Sequence, residues 1–299
     1  YIAGDNVGHR NTVNWTGNYT STNSTASAYF LWDTTDNNIT MTGDVTTTGA
    51  VSGLIRTNNS DNNTMSFTGN IRTEGAGSPA ILLGTDSDNN TINVTGNIST
   101  TGTASHGLDL STSDSNTFNI TGDITTTGTD GDSEPIRLEN SDSNTFTLSG
   151  NVKSLGGDQA ISIDADSDAN TFNIQSGSTF LGDFENLGTN TVITNQGVMD
   201  GIENTGSIAT FNNAQTGATY SGTLPVNYNI IINSPTSYGQ MFVTSEAGST
   251  NFGVSSSSAN LTIGQYTNVM TGVSDGNVGA TRSGSLEGNG TSSAGTANW

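Results

Sequence analysis

The stretch Asp114–Gly122, DSNTFNITG, decides the fold, because the chain keeps returning to it. Edited copies stand at Thr64–Gly69 (TMSFTG), Thr91–Gly96 (TINVTG) and Thr145–Gly150 (TFTLSG), with degenerate ones toward both ends. The closing glycines are Gly17, Gly43, Gly69, Gly96, Gly122 and Gly150, at steps of 26, 26, 27, 26 and 28 residues. A fixed period in this range marks a solenoid, in which each repeat buries its apolar face only against its neighbours. Four and two residues before each glycine lie apolar side chains, as in Met65/Phe67, Ile92/Val94, Phe118/Ile120 and Phe146/Leu148. Alternation of period two reads as a strand with one buried face. Another apolar residue follows two past the glycine (Val45, Ile71, Ile98, Ile124, Val152), and a third cluster comes later (Leu54/Ile55, Ile81/Leu83, Leu108/Leu110, Ile136/Leu138). Each period therefore holds three short strands and three turns. The predicted fold is all-β, a parallel β-helix (β-solenoid) of triangular section.

Further along, apolar-x-Asn-x-Gly recurs at Phe184–Gly188, Ile193–Gly197 and Ile202–Gly206, a step of nine. Three nines match one coil, so Phe211 is expected one coil above Phe184. At the usual strand spacing of roughly 4.8 Å, about eleven coils make a rod on the order of 50 Å long. The organisation read from this is a β-helix over 1–222, with regular repeats at 9–175 and the nine-residue series at 184–217. A C-terminal β cap and a Gly/Ser/Thr tail occupy 223–299.

Two columns follow from stacking the repeats. Asn11, Asn37, Asn63, Asn90, Asn116 and Asn144 stand six residues before their glycines. Asparagine tolerates left-handed turns, and stacked amides can bond along the axis, so a structural corner ladder is expected. Asp61, Asp88, Asp114 and Asp142 stand eight before, with Asp168 in the next coil. Carboxylates filed roughly 5 Å apart repel one another. The alternatives are a solvated, salt-screened corner or calcium held between coils.

Only 30% of the chain is apolar and 11% charged, which suits a solenoid with few inward residues per coil better than a compact globule. The net charge of −21 excludes binding to nucleic acid or to an anionic bilayer by attraction. There is no cysteine, so disulfides contribute nothing, and no apolar run is long enough to cross a membrane. Aromatics at Tyr29–Trp32 either seal the first coil or form a docking face. Thr46–Thr48, Thr100–Thr101 and Thr125–Thr127 could stack into a hydroxyl face, but Arg72, Glu74 and Lys153 interrupt it, which argues against an ice-binding surface.

The block YNIIINSPTSYGQMFVT at Tyr228–Thr244, with FGVSSSS downstream, resembles the C-terminal passenger region of bacterial autotransporter proteins. The Asn/Thr-rich β-helix before it is similar to the passenger bodies of that family. The resemblance implies a Gram-negative surface or secreted protein, located outside the outer membrane and exported through a barrel that this chain lacks.

Catalysis looks poorly supplied. His9 and His106 sit at different places in the repeat and read as surface histidines, and no nucleophile elbow, Walker loop or zinc-spaced histidine pair occurs. The aspartates recur with the repeat, whereas a catalytic set should interrupt it. No catalytic residue is assigned. The expected function is an extracellular structural or adhesive solenoid that self-associates head to tail into fibres, with cell-surface glycans as further partners. The alternative is a polysaccharide-binding or polysaccharide-cleaving β-helix, marked by a groove where the repeat breaks, lined by aromatics and carboxylates.

Overall fold

The computed structural model describes residues 10–157, 159–259, 261, 266–273, 289–292 and 295–298. His9 and most of the 274–299 tail lie outside them. The repeat folds as three parallel sheets. Sheet A runs through eleven strands from Thr12–Thr16 to Asn251–Val254, sheet B through seven from Tyr19–Ser21 to Phe180–Leu181, and sheet C through eleven from Tyr29–Trp32 to Met270–Thr271. No helix occurs among the described residues. The sequence period and the coil coincide: Ile92 pairs with Phe118, Phe118 with Phe146, and Phe146 with Phe172, each one strand higher.

Stacking makes files of like side chains. The rings of Phe118, Phe146 and Phe172 lie nearly parallel, with centroids 4.9 and 4.8 Å apart. All three are fully buried, and each such ring contributes about 1.5–3 kcal/mol by leaving water. Phe184 closes the file edge-on, with its centroid 4.9 Å from that of Phe172.

The glycine column is dictated by close approach. A Cβ at Gly122 would stand 2.3 Å from the carbonyl oxygen of Gly96, and the Gly122 φ of +132° is one that side-chain-bearing residues rarely adopt.

The asparagine column is a hydrogen-bonded ladder that extends one residue beyond the expected six. The amide N–H of each donates to Oδ1 of the next, from Asn11 to Asn37 (3.0 Å) up to Asn144 to Asn170 (2.8 Å). In the lower coils the side-chain amides also join, Asn37 Nδ2 to Asn63 Oδ1 at 2.9 Å and Asn63 Nδ2 to Asn90 Oδ1 at 3.0 Å. Higher up they turn onto backbone carbonyls, Asn144 to Ser113 and Asn170 to Ser141. The ladder residues are not themselves left-handed. The residue before each one is, as at Asp36, Asn62, Asn89, Ser115, Ser143 and Ala169. The turn therefore strains one position, and the asparagine beside it satisfies the backbone that the turn leaves unpaired.

The nine-residue series departs from its expected stacking. Phe184 pairs with Ile202 and Ile202 with Tyr220 in sheet C, while Ile193 pairs with Phe211 in sheet A. Two nines, not three, complete a coil here, so Phe184 and Phe211 lie on different sheets. Sheet B has ended at Phe180–Leu181, and each coil now closes with two strands. Buried Asn186 and Asn195 point inward and bond to Asn204 (2.7 Å) and Asn213 (3.3 Å). These two inner ladders end on the hydroxyls of buried Tyr220 and Tyr228, at 2.9 and 3.2 Å. From 223 onward the stacks continue, Asn227–Ile230 and Asn251–Val254 on sheet A and the longer Met241–Ala247 on sheet C.

Candidate functional site

Alternation along each strand sends every second residue of sheet C outward. Register then fixes the outer rows. One reads Phe30, Arg56, Leu82, Asp109, Arg137, and the other Trp32, Asn58, Gly84, Ser111, Glu139. These rows differ from the outer row of sheet B, where Thr46, Arg72, Ser99, Thr125 and Lys153 alternate. On sheet C the two rows enclose a cleft of about 420 Å³ between Phe30, Trp32, Arg56, Asn58, Asp109 and Arg137. It spans five coils, about 19 Å at the ordinary strand spacing. Gly84 supplies no side chain, and this opens the middle of the floor.

Of the Tyr29–Trp32 strand, Tyr29 and Leu31 face the core, while Trp32 is 47% exposed and lies on the cleft. The aromatics of the first coil thus divide between sealing and surface. Asp109 is 6% exposed, and Arg137 grips it with two bonds, Nε to Oδ1 at 3.0 Å and Nη2 to Oδ2 at 3.3 Å. Burial opposes the charge on Arg137, but Asp109, Asp132 and Glu139 outweigh it and hold the guanidinium above its usual range. Burial lowers the affinity of Arg56 for its proton and Asp109 partly offsets this, while Nη1 donates to the Val51 carbonyl at 3.2 Å.

Beside this face the period breaks. The coil closed by Gly150 has 28 residues, and the extra length falls in the turn before Ile136–Glu139. Asp130 anchors that turn by accepting from the Ala104 N–H at 2.6 Å and the Ser133 hydroxyl at 2.8 Å. The turn carries Asp132 and Glu134 over His106. His106 is not a surface residue: it is 2% exposed, with Nδ1 3.0 Å from Glu134 Oε2 and Nε2 3.9 Å from Asp132 Oδ1. Burial alone would raise the Glu134 carboxyl. His106, its own backbone amide and Arg137 together hold it below the ordinary range.

The aspartate column forms one file, as the period requires. In it Oδ1 of each residue accepts the next amide: Asp88 N–H to Asp61 (2.8 Å), Asp114 to Asp88 (2.7 Å), Asp142 to Asp114 (2.7 Å), Asp168 to Asp142 (2.6 Å) and Thr189 to Asp168 (2.7 Å). Burial and the charges of Asp114, Asp61 and Asp86 raise Asp88, against the hydrogen bond from the Asp114 amide. The file therefore satisfies backbone donors at a corner and carries the repulsion of its own charges.

Sequence reading alone missed the sheet C cleft and the His106 cluster. The step of 28 was the signal for the second. For the first, no pattern along the chain foretells which outward residues become neighbours until the register is known.

No family model matches the chain, and no curated protein or solved structure does either.

Proposed function

We propose that this chain is an extracellular adhesive β-solenoid of the autotransporter passenger kind, which grips an extended polysaccharide along the outer face of sheet C. The cleft of about 420 Å³ carries the reading. It has the size of a small-ligand site and combines aromatic surface with a few fixed polar groups. Trp32 and Phe30 offer ring faces to the C–H face of a sugar, and Asn58, Ser111, Arg56 and the Asp109–Arg137 pair offer donors and acceptors to its hydroxyls. Two of the chain's six basic residues stand here, on a molecule of net charge −21. Binding is favoured over cleavage. Glycoside hydrolysis needs two carboxyl groups free to give and take protons, and Asp109 is committed to Arg137. Calcium plays no part in this reading, since the aspartate file already places one oxygen of each carboxylate on a backbone donor.

Head-to-tail association is a second reading, favoured by the exposed aromatics of the first described coil, Trp15 and Trp32, at 50% and 47%. Electron microscopy of concentrated protein tests it, and discrete short rods would count against it.

A glycan array read alongside a reducing-sugar assay tests the main proposal. Retention of a polysaccharide without release of reducing ends is expected. Release of reducing ends would make the chain an enzyme, and no retention on any glycan would remove the proposal.

A further inference from the structure

The cluster in the lengthened coil has a geometry that packing alone does not explain. Gly53, Pro79, His106 and Glu134 occupy the same corner in successive coils, each one residue past a serine. Serine hydroxyls there link the coils, Ser105 to the Ser78 amide at 3.0 Å and Ser133 to the Ser105 amide at 3.4 Å. This corner is walled in. The side chains of His106 and Glu134 are 3% and 8% exposed.

Although His106 Nδ1 and Glu134 Oε2 are 3.0 Å apart, they lie off the line that a ring N–H···O hydrogen bond needs, and neither has another hydrogen-bond partner. Leaving such buried atoms unmatched is costly, so native structures seldom do it. Asp132 completes the group. One ring nitrogen of His106 and one oxygen each of Asp132 and Glu134 all lie within 4.8 Å of one another. Two ligands at right angles on a cation with bonds of about 2.1 Å would stand about 3.0 Å apart.

We propose that His106, Asp132 and Glu134 bind a divalent first-row transition-metal ion. The ion would sit between atoms that approach without bonding, and so satisfy both. One imidazole nitrogen with two carboxylate oxygens suits zinc, manganese or cobalt better than calcium, whose ligands are all oxygen. The surrounding charge favours a cation. Four carboxylates, Asp132, Glu134, Asp109 and Glu139, outnumber the guanidiniums beside them, that of Arg137, 3.6 Å from Asp132 and 3.8 Å from Glu139, and that of Arg56, which interacts with Asp109. Three protein ligands leave coordination positions for water or a ligand hydroxyl, and Asp132, 54% exposed, opens the site to solvent. Arg137 ties Asp132 to the cleft, so the ion would lie beside the polysaccharide path. The site does not depend on that path being used.

The alternative occupant is a proton, giving an imidazolium between two carboxylates. Titration of chelator-stripped full-length protein with Co²⁺, Zn²⁺ and Ca²⁺, without glycan, decides between them, read by cobalt absorption and by calorimetry. The expected result is one Co²⁺ or Zn²⁺ per chain, with Ca²⁺ at least tenfold weaker. His9→Ala, which removes the other histidine, should bind as tightly as the wild type. Asp132→Asn, on an exposed turn where folding is safe, should weaken Zn²⁺ at least tenfold, and Glu134→Gln likewise. Absence of a Co²⁺ spectrum and of Zn²⁺ heat would overturn the proposal. So would unchanged Zn²⁺ affinity in Asp132→Asn, or binding lost in His9→Ala.

Discussion

Replacing Asn144 by alanine tests whether the asparagine ladder holds the coils together or merely fills a corner. Asn144 is fully buried. Its Oδ1 accepts the Asn116 amide at 2.8 Å, and its Nδ2 donates to the Ser113 carbonyl at 3.0 Å. Its own amide donates to Asn170 Oδ1, a bond the substitution leaves intact. The variant strips partners from one buried backbone donor and one buried backbone acceptor. Each such group costs about 1–3 kcal/mol when left unmatched. The expected loss is about 2–6 kcal/mol, well above that of an ordinary surface change. Asn119→Ala is the control: Asn119 is exposed, bonds only outward to Asn93 at 2.9 Å, and should stay within about 0.5 kcal/mol. Urea unfolding gives both numbers. Because a solenoid's stability is close to a sum over neighbouring repeats, amide exchange should quicken first at Asn116 and its coil. A loss below about 1 kcal/mol, or one equal to that of Asn119→Ala, would refute the reasoning.

Phe146→Ala should cost about 3–5 kcal/mol in the same assay, since it opens a hole between two parallel rings. A cost near that of an exposed phenylalanine would mean the file is not a close-packed core. Burial raises both Tyr220 and Tyr228, against hydrogen bonds from Asn204 and Asn213. Their hydroxyls stay protonated in the fold while the unfolded chain ionises near pH 10, so the stability they supply is full below pH 10 and lost above it. The slope should be about 2.7 kcal/mol per pH unit for the pair, and Tyr228→Phe should halve that part of it. An unchanged slope in unfolding between pH 10 and 11 would contradict this. In the aspartate file, Asp114→Asn keeps an acceptor for the Asp142 amide and removes a charge, so thermal melting should hold or rise. Asp114→Ala should lower it, and calcium added to chelator-stripped protein should leave the midpoint unmoved. A calcium-dependent rise that Asp114→Asn abolishes would show that the file binds the ion.

The solenoid was legible because every coil repeats one packing problem. Phe118 and Phe146 occupy matching places in the period, and Gly122 is glycine because the chain below passes within reach of its missing Cβ. The nine-residue series misled for a physical reason. Strand plus corner takes nine residues whether two or three of them close a coil, and Phe184 meeting Ile202 is settled by the loss of sheet B, not by the local pattern. His106 read as exposed because histidine so often is. Its burial follows from the turn that carries Asp132 and Glu134 over it, and only the step of 28 hinted at that turn. The sheet C cleft was the least legible feature. Trp32, Asp109 and Arg137 are separated by most of four coils in sequence and meet only through register.

The most direct test of the account measures affinity for whichever polysaccharide the array retains, by calorimetry, on three proteins. The account predicts that Trp32→Ala weakens binding at least tenfold, as the loss of an aromatic anchor does. Thr125→Ala, on the outer face of sheet B, should bind like the wild type. Equal affinity in all three, or a loss confined to Thr125→Ala, would place the binding face elsewhere.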